Sequence, residues 1–207
     1  MNDPSIRAIF FDFGGVLLKS FDGIDHDAVE AEFGLTAKTL RRCLYAESRY
    51  GDFQVGQCTY DEWMESIRQA VVRHTGDKAE AVMRAWQESP RAFNQEMLAL
   101  VKRLHGHYKL GIISNTIPGM EERLQERFEL VDLFDVRVGS GDLGIAKPDP
   151  GIYLHALGEA GLPPERCVFT DDRAQHAEAA SAVGMHGFHF TGYEQFCVDL
   201  RSVGVEA

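Results

Sequence analysis

The stretch Ile6–Leu18, IRAIFFDFGGVLL, decides the fold. Ile6 to Phe11 is a short run, apolar but for Arg7, that stops at one carboxylate, Asp12, and is closed by Gly14 and Gly15. A strand without polar alternation is covered on both faces, as the strands of parallel sheets are. Runs of the same kind recur at Lys109–Ser114 (KLGIIS), Phe134–Val138 (FDVRV), Arg166–Thr170 (RCVFT) and His186–Phe190 (HGFHF). Helical patterns separate them: FNQEMLALVKRL, PGMEERLQERF, PGIYLHALGEAG and RAQHAEAASAVG. This alternation predicts an α/β fold, a Rossmann-like parallel sheet wound with helices.

Residues 20–89 break the rhythm. They hold helical patterns and no convincing strand. Thr59 and Glu62 in TYDEW form a capping box. Trp63, Ile67, Ala70 and Val71 follow at i, i+4, i+7 and i+8, the stripe of a helix with one buried face. The expected organisation is therefore a core made of residues 1–19 and 90–207, with a helical insert at 20–89 directly after the first strand.

Composition narrows the function. The 207 residues are 44% hydrophobic, enough for a sizeable core. The net charge of −11 opposes binding to nucleic acid or an anionic membrane across the general surface. No apolar run reaches the ~18 residues of a membrane span. The N-terminal apolar run, interrupted by Asp12, is too short for a secretion signal. Cys43, Cys58, Cys167 and Cys197 are scattered, without the spacing of a zinc site or a disulfide framework. A cytoplasmic location is expected.

In open parallel sheets, ligands sit beyond the carboxyl ends of the strands. The first run ends at Asp12. The second ends in ISNT, with Ser114 and Asn115. The third leads through the glycine-rich turn GSGDLG (Gly139–Gly144) to Lys147 in AKPDP. The fourth ends in FTDD, with Asp171 and Asp172. One terminal Asp is ordinarily a turn or cap residue. Four such ends with a carboxylate, a hydroxyl, a lysine and an acid pair point to one shared site. GSGDLG also fits G-x-G-x-x-G, but KPDP follows it where a dinucleotide site needs a helix. The chain carries no P-loop and no G-x-S-x-G elbow.

DFGGV, ISNT, KPDP and FTDD, in that order, resemble the four motifs of the haloacid dehalogenase-like hydrolase superfamily. The resemblance covers essentially the whole chain. The insert is similar to that family's helical cap, and the nearest character is that of small phosphatases whose first motif reads Asp-x-Gly. The resemblance implies a Mg²⁺-dependent phosphatase acting on a small phosphorylated metabolite. Asp12 would be the nucleophile, forming an aspartyl-phosphate. Mg²⁺ would be held by Asp12, the Gly14 carbonyl and Asp172, with Asp171 ligating or orienting Lys147. Ser114, Asn115, Lys147 and the backbone N–H groups at Phe13 and Gly14 would bind the phosphate. His176 stands where relatives often carry Asp or Asn, and is expected behind the metal ligands or as an ordinary helix residue. Oligomeric state stays open, a homodimer being one option.

Family phosphatases commonly read Asp-x-Asp, and the second acid handles protons. Here Gly14 removes it, and such help is worth roughly 10²–10⁴ in rate. Three readings follow. The chain is a phosphatase in which Asp22 or a water moves the proton, which favours good leaving groups such as sugar 1-phosphates and acyl phosphates. It is a metal-independent 2-haloacid dehalogenase with Arg41 or Arg42 holding halide, although the FTDD pair favours a cation. Or it is a decayed, non-catalytic phosphometabolite-binding protein. For Asp22 the plain alternative is a solvated loop residue. For Arg41 and Arg42, in KTLRR, it is a solvated helix face. Tyr45, Tyr50 and Phe53 are candidates for the cleft or for the insert's own core.

Overall fold

The computed structural model describes residues 5–126 and 128–206. Residues 1–4 of the expected core, Arg127 in the PGMEERLQERF pattern, and Ala207 lie outside the described residues.

Among the described residues five strands form the sheet: β1 (Ala8–Phe11), β2 (Lys109–Ser114), β3 (Val136–Gly139), β4 (Cys167–Asp171) and β5 (His186–His189). All neighbours pair parallel, in the order β3-β2-β1-β4-β5. The chain winds outward from β1 to β2 and β3, then crosses to β4 on the other side of β1. The order therefore reverses between β1 and β4, and a crevice opens at their carboxyl ends. Register aligns those ends, with Phe11 opposite Ile112 of β2 and Thr170 of β4.

Period-two alternation assigns the β1 side chains to two layers. Ile9 and Phe11 pack with Met97, Val101 and Leu104 of helix Gln95–Leu104 and with Phe196 and Leu200 of helix Tyr193–Ser202. Ala8 and Phe10 pack with Ile152, Tyr153 and Ala156 of helix Pro150–Ala160 and with Ala180 of helix Ala174–Ala182. Both faces of the strand are apolar because both are covered.

The FDVRV run pairs only from Val136. Asp135 closes the start of β2 instead: its carboxylate accepts from the Leu110 N–H at 2.9 Å, and its own N–H donates to the Leu110 carbonyl. GSGDLG is more than the plain turn expected. Ser140–Leu143 makes one helical turn, ended by Gly144 at φ 76°. Its Ser140 hydroxyl accepts from the Thr116 N–H, and Asp142 accepts from the Gly119 and Met120 N–H groups, at 2.6 and 3.1 Å. This braces the ISNT loop and caps helix Met120–Glu126.

After β1, residues Phe13–Leu17 form one wide turn, closed by the Leu18 N–H donating to the Phe13 carbonyl at 2.8 Å. The chain leaves and re-enters the core through a short antiparallel contact. Leu18 bridges Phe93, the Lys19 N–H donates to the Ala92 carbonyl, and the Asn94 N–H donates to the Leu17 carbonyl. Between these points lie helices His26–Phe33, Tyr60–Thr75 and Ala79–Glu88 and several short turns. The Thr59/Glu62 capping box is formed, and Trp63, Ile67, Ala70 and Val71 are buried. They join Val82, Met83 and Trp86 in a hydrophobic cluster of their own, apart from the two that sandwich the sheet. Among the described residues no helix is long and apolar enough to cross a membrane.

Candidate active site

The carboxyl ends of β1, β2 and β4 meet the KPDP loop around one ammonium group. Lys147 Nζ donates to the Ile113 carbonyl at 2.8 Å, lies 2.9 Å from Asp12 Oδ1 and donates to Asp171 Oδ2 at 2.6 Å. Its three protons are thereby matched to three acceptors on three different segments. The side chain is fully enclosed. The loop that delivers it is held by Asn115, whose Nδ2 donates to the Lys147 carbonyl and whose Oδ1 accepts from the Lys147 N–H, at 2.8 and 2.7 Å.

Asp171 is fully buried. Lys147 and the Arg173 N–H donate to its carboxylate, and His176 Nδ1 lies 3.0 Å from Oδ2. Burial pushes its carboxyl up, but the His176 contact and the Lys147 charge outweigh it and hold the group at about 2. Asp12 has less help. Burial raises its carboxyl to about 6 against the opposing Lys147 charge, with the Asp171 charge adding to the rise. Asp172 is exposed at the rim; partial loss of solvent, then the Asp171 charge, hold it above the usual range.

Ligand oxygens of Asp12, Asp171 and Asp172 lie within 4.8 Å of one another. Three carboxylates share one fixed ammonium, and the Asp171 charge adds to the rise that burial causes in Asp12. An all-oxygen donor set of this kind suits a hard divalent cation such as Mg²⁺. The gap is kept open by Gly15: at φ 82°, a Cβ there would lie 2.5 Å from Asp172 Oδ2.

Ser114, also buried, lines the same cavity, together with Phe13, Gly14, Lys147, Asp172 and His176. Three of the expected site residues already have hydrogen-bond partners within the protein. The Asn115 side chain holds the Lys147 backbone with its oxygen and one amide N–H, which positions the lysine and leaves its second amide N–H at the cavity wall. The Phe13 N–H already donates to Asp12 Oδ1 at 2.7 Å, which orients the carboxylate. Asp171 accepts from Lys147 and the Arg173 N–H and meets His176, so of the two roles expected for it these contacts serve the orienting of Lys147, and Asp172 is the better-exposed donor at the rim.

The insert folds back over this mouth. Asp22 is no solvated loop residue. Its carboxylate accepts from Tyr45 Oη at 2.6 Å, the Ile24 N–H at 3.1 Å and Trp86 Nε1 at 3.4 Å, and lies 3.0 Å from His26 Nε2. Burial alone would raise it, but these partners hold it at about 2. A carboxylate so stabilised in its charged form is a poor proton donor. Arg42 is turned away from the mouth, at 2.7 Å from Glu47, while Arg41 borders an adjoining cleft with Asp172 and Arg173. Tyr45 and Tyr50 line the cavity; Phe53 stacks on Trp63 within the insert.

Residues 6–184 match the sequence profile of the haloacid dehalogenase-like hydrolases. The chain belongs to this family. The sesquiterpene phosphatase of Aspergillus oryzae is 26% identical over 96% of this chain and 97% of its own length. The D-ribitol-5-phosphate phosphatase of Bacteroides thetaiotaomicron is 26% identical over 88% of this chain and 91% of its own. In structure, a haloacid dehalogenase family enzyme of Bacteroides thetaiotaomicron, crystallised with magnesium and inorganic phosphate, superposes with a TM-score of 0.67 at 21% identity, over 89% of this chain and 93% of that one. At that identity the likeness speaks for the fold.

In this hydrolase the sequence reading missed Phe21, Trp86 and Arg173. Arg173 was discoverable, since it follows the acid pair directly. Phe21 and Trp86 lie on the far side of the insert from each other in sequence, and only its folding brings them to Asp12.

Proposed function

We propose that this chain is a Mg²⁺-dependent phosphatase for small phosphate monoesters, with residues 20–89 acting as a cap over the site. The observation that carries the reading is the Lys147 ammonium clamped between Asp12 and Asp171, with Asp172 beside it at the mouth of a cavity that also holds Ser114. Asp12 is the group placed to attack phosphorus. An Asp12 oxygen forms the new P–O bond, the ester P–O bond breaks, and the alcohol leaves, taking a proton from water. Water then hydrolyses the acyl phosphate and restores the carboxylate. Lys147 holds Asp12 in position and offsets charge on the phosphoryl oxygens, and the Ser114 hydroxyl is a further donor. Asn115 and Asp171 fix the lysine. Asp12, Asp172 and the Gly14 carbonyl are the groups that would hold Mg²⁺, which supplies the positive charge that lets one anion approach another. The four cysteines are all unpaired, which suits a reducing cytoplasm.

The alcohols named for the two relatives range from a terpenoid to a polyol, so they leave the substrate of this chain open. Acetyl phosphate, small and with a good leaving group, tests the reaction itself. Phosphate is expected to be released only with Mg²⁺, and the Asp12→Asn rate to fall by at least about 10³. Chloride release from 2-chloropropionate without metal would overturn the reading in favour of dehalogenation. Tight phosphate binding without turnover in Mg²⁺ would make the chain a binding protein.

A further inference from the structure

The cavity beside Asp12 carries a second message, about the alcohol half of the ester. It measures about 150 Å³. A phosphate at Asp12 and Ser114 takes part of that volume, so the alcohol it leaves room for is a compact one. Its walls are aromatic on both sides: Phe13 and Phe128 from the core, Phe21, Tyr45, Tyr50 and Trp86 from the insert. The rings brace one another, Phe21 edge to face with Tyr45 at 4.8 Å and Phe13 tilted against Phe128 at 5.3 Å.

Most of the polar groups in this wall are engaged with neighbouring groups of the protein. Asp22 is ringed by Tyr45, Trp86, His26 and the Ile24 N–H. Arg123 donates to the Pro118 and Ile117 carbonyls and to Thr116 Oγ1. The Tyr50 hydroxyl donates to the Asn115 carbonyl at 3.4 Å, and the Arg173 guanidinium lies over the Phe21 ring. A sugar or nucleoside entering here would find most of these groups already engaged, and its hydroxyls would go largely unpaired against the rings. Each such loss costs on the order of tenfold in affinity. A hydrocarbon group loses nothing and gains the burial of its surface.

Building on the phosphatase reading, we propose that this enzyme selects phosphate monoesters of compact apolar alcohols, aromatic or branched aliphatic, over sugar phosphates and nucleotides. The phosphate sits at Asp12, Ser114 and Lys147, and the aromatic chamber takes the alcohol.

The test is a matched pair. Cyclohexylmethyl phosphate and glucose 6-phosphate are both primary alkyl esters carrying one six-membered ring, so they differ chiefly in hydroxyl groups. With Mg²⁺, kcat/KM is expected to favour the cyclohexylmethyl ester by at least about tenfold. Equal rates, or a preference for the sugar ester, overturn the inference. Acetyl phosphate, which has no alcohol body, is the third arm. Its hydrolysis without hydrolysis of either ring ester sinks the inference and leaves the reaction standing, whereas release from none of the three sinks both. Ile117→Asn, on the loop after β2, puts an amide into the chamber wall. It is expected to raise KM for the cyclohexylmethyl ester more than it lowers kcat, and to shrink the preference several-fold. A preference unchanged in this variant counts against the chamber as the selecting element.

Discussion

At position 14 the family's second acid is not merely absent; the space for it is filled. A Cβ at Gly14 would overlap the Phe21 carbonyl oxygen and sit 3.0 Å from its carbon. The insert's first turn therefore uses the place a side chain would need, and the loss is built into how the insert leaves the core. Gly14→Asp is thus expected to destabilise the fold by about 1–3 kcal/mol, as overpacking does, and to leave phosphate release no faster. Denaturant unfolding and initial rates check both halves, and a faster variant would show that the backbone yields to restore an acid. Asp12, Lys147, Asp171 and Asp172 were legible in the sequence because strand ends are fixed by short apolar runs and the sheet aligns them. The Phe21 carbonyl and the four partners of Asp22 were not. They arise where the insert returns to the core, and no periodicity encodes that approach.

The elements divide in the same way. β1, β2 and β4 were readable because burial on both faces leaves no polar position to confuse the pattern. The helix Tyr60–Thr75 was readable from its capping box and its stripe. Residues 39–53 were not. Short turns there, such as Thr39–Arg41 and Tyr50–Phe53, are too brief to show a 3.6-residue period, although they deliver Tyr45 and Tyr50 to the cavity. What ties these turns to the helices is Asp22, bound to His26, Tyr45 and Trp86 from three separate elements. Burial raises its carboxyl, yet its partners bring it down from 3.8 to about 2. Because the folded value is depressed, the charged form stabilises the fold. That contribution is complete above the unfolded value near 4 and is lost as pH falls through about 2. Asp22→Asn is expected to cost up to about 2 kcal/mol at pH 7, and the gap to the parent should close on acidification across that window. Urea midpoints at several pH values measure it; a gap constant from pH 7 to pH 2 would mean that the carboxylate's charge is irrelevant to the seam.

Across the whole molecule, the charge of −11 and the crowding of three carboxylates at one mouth act in the same direction. Folding brings Asp12, Asp171 and Asp172 together against their mutual repulsion, and a single lysine offsets only part of it. A divalent cation that binds the folded mouth and not the open chain must then stabilise the entire fold. At about ten times its dissociation constant the gain is RT ln 11, about 1.4 kcal/mol. For a chain of 207 residues that corresponds to a rise of about 3–6 °C in Tm. Asp172→Asn removes the exposed ligand and leaves the Lys147 clamp between Asp12 and Asp171 untouched, so this variant is expected to fold and to lose most of the shift. Thermal unfolding in MgCl₂ against NaCl of equal ionic strength separates specific binding from screening, because screening would raise both proteins alike. An equal rise in parent and variant would place the ion elsewhere on this acidic surface and remove Asp172 from its ligands. An absent rise in the parent would leave the phosphatase reading without the positive charge it needs to bring the Asp12 carboxylate up to an anionic phosphate.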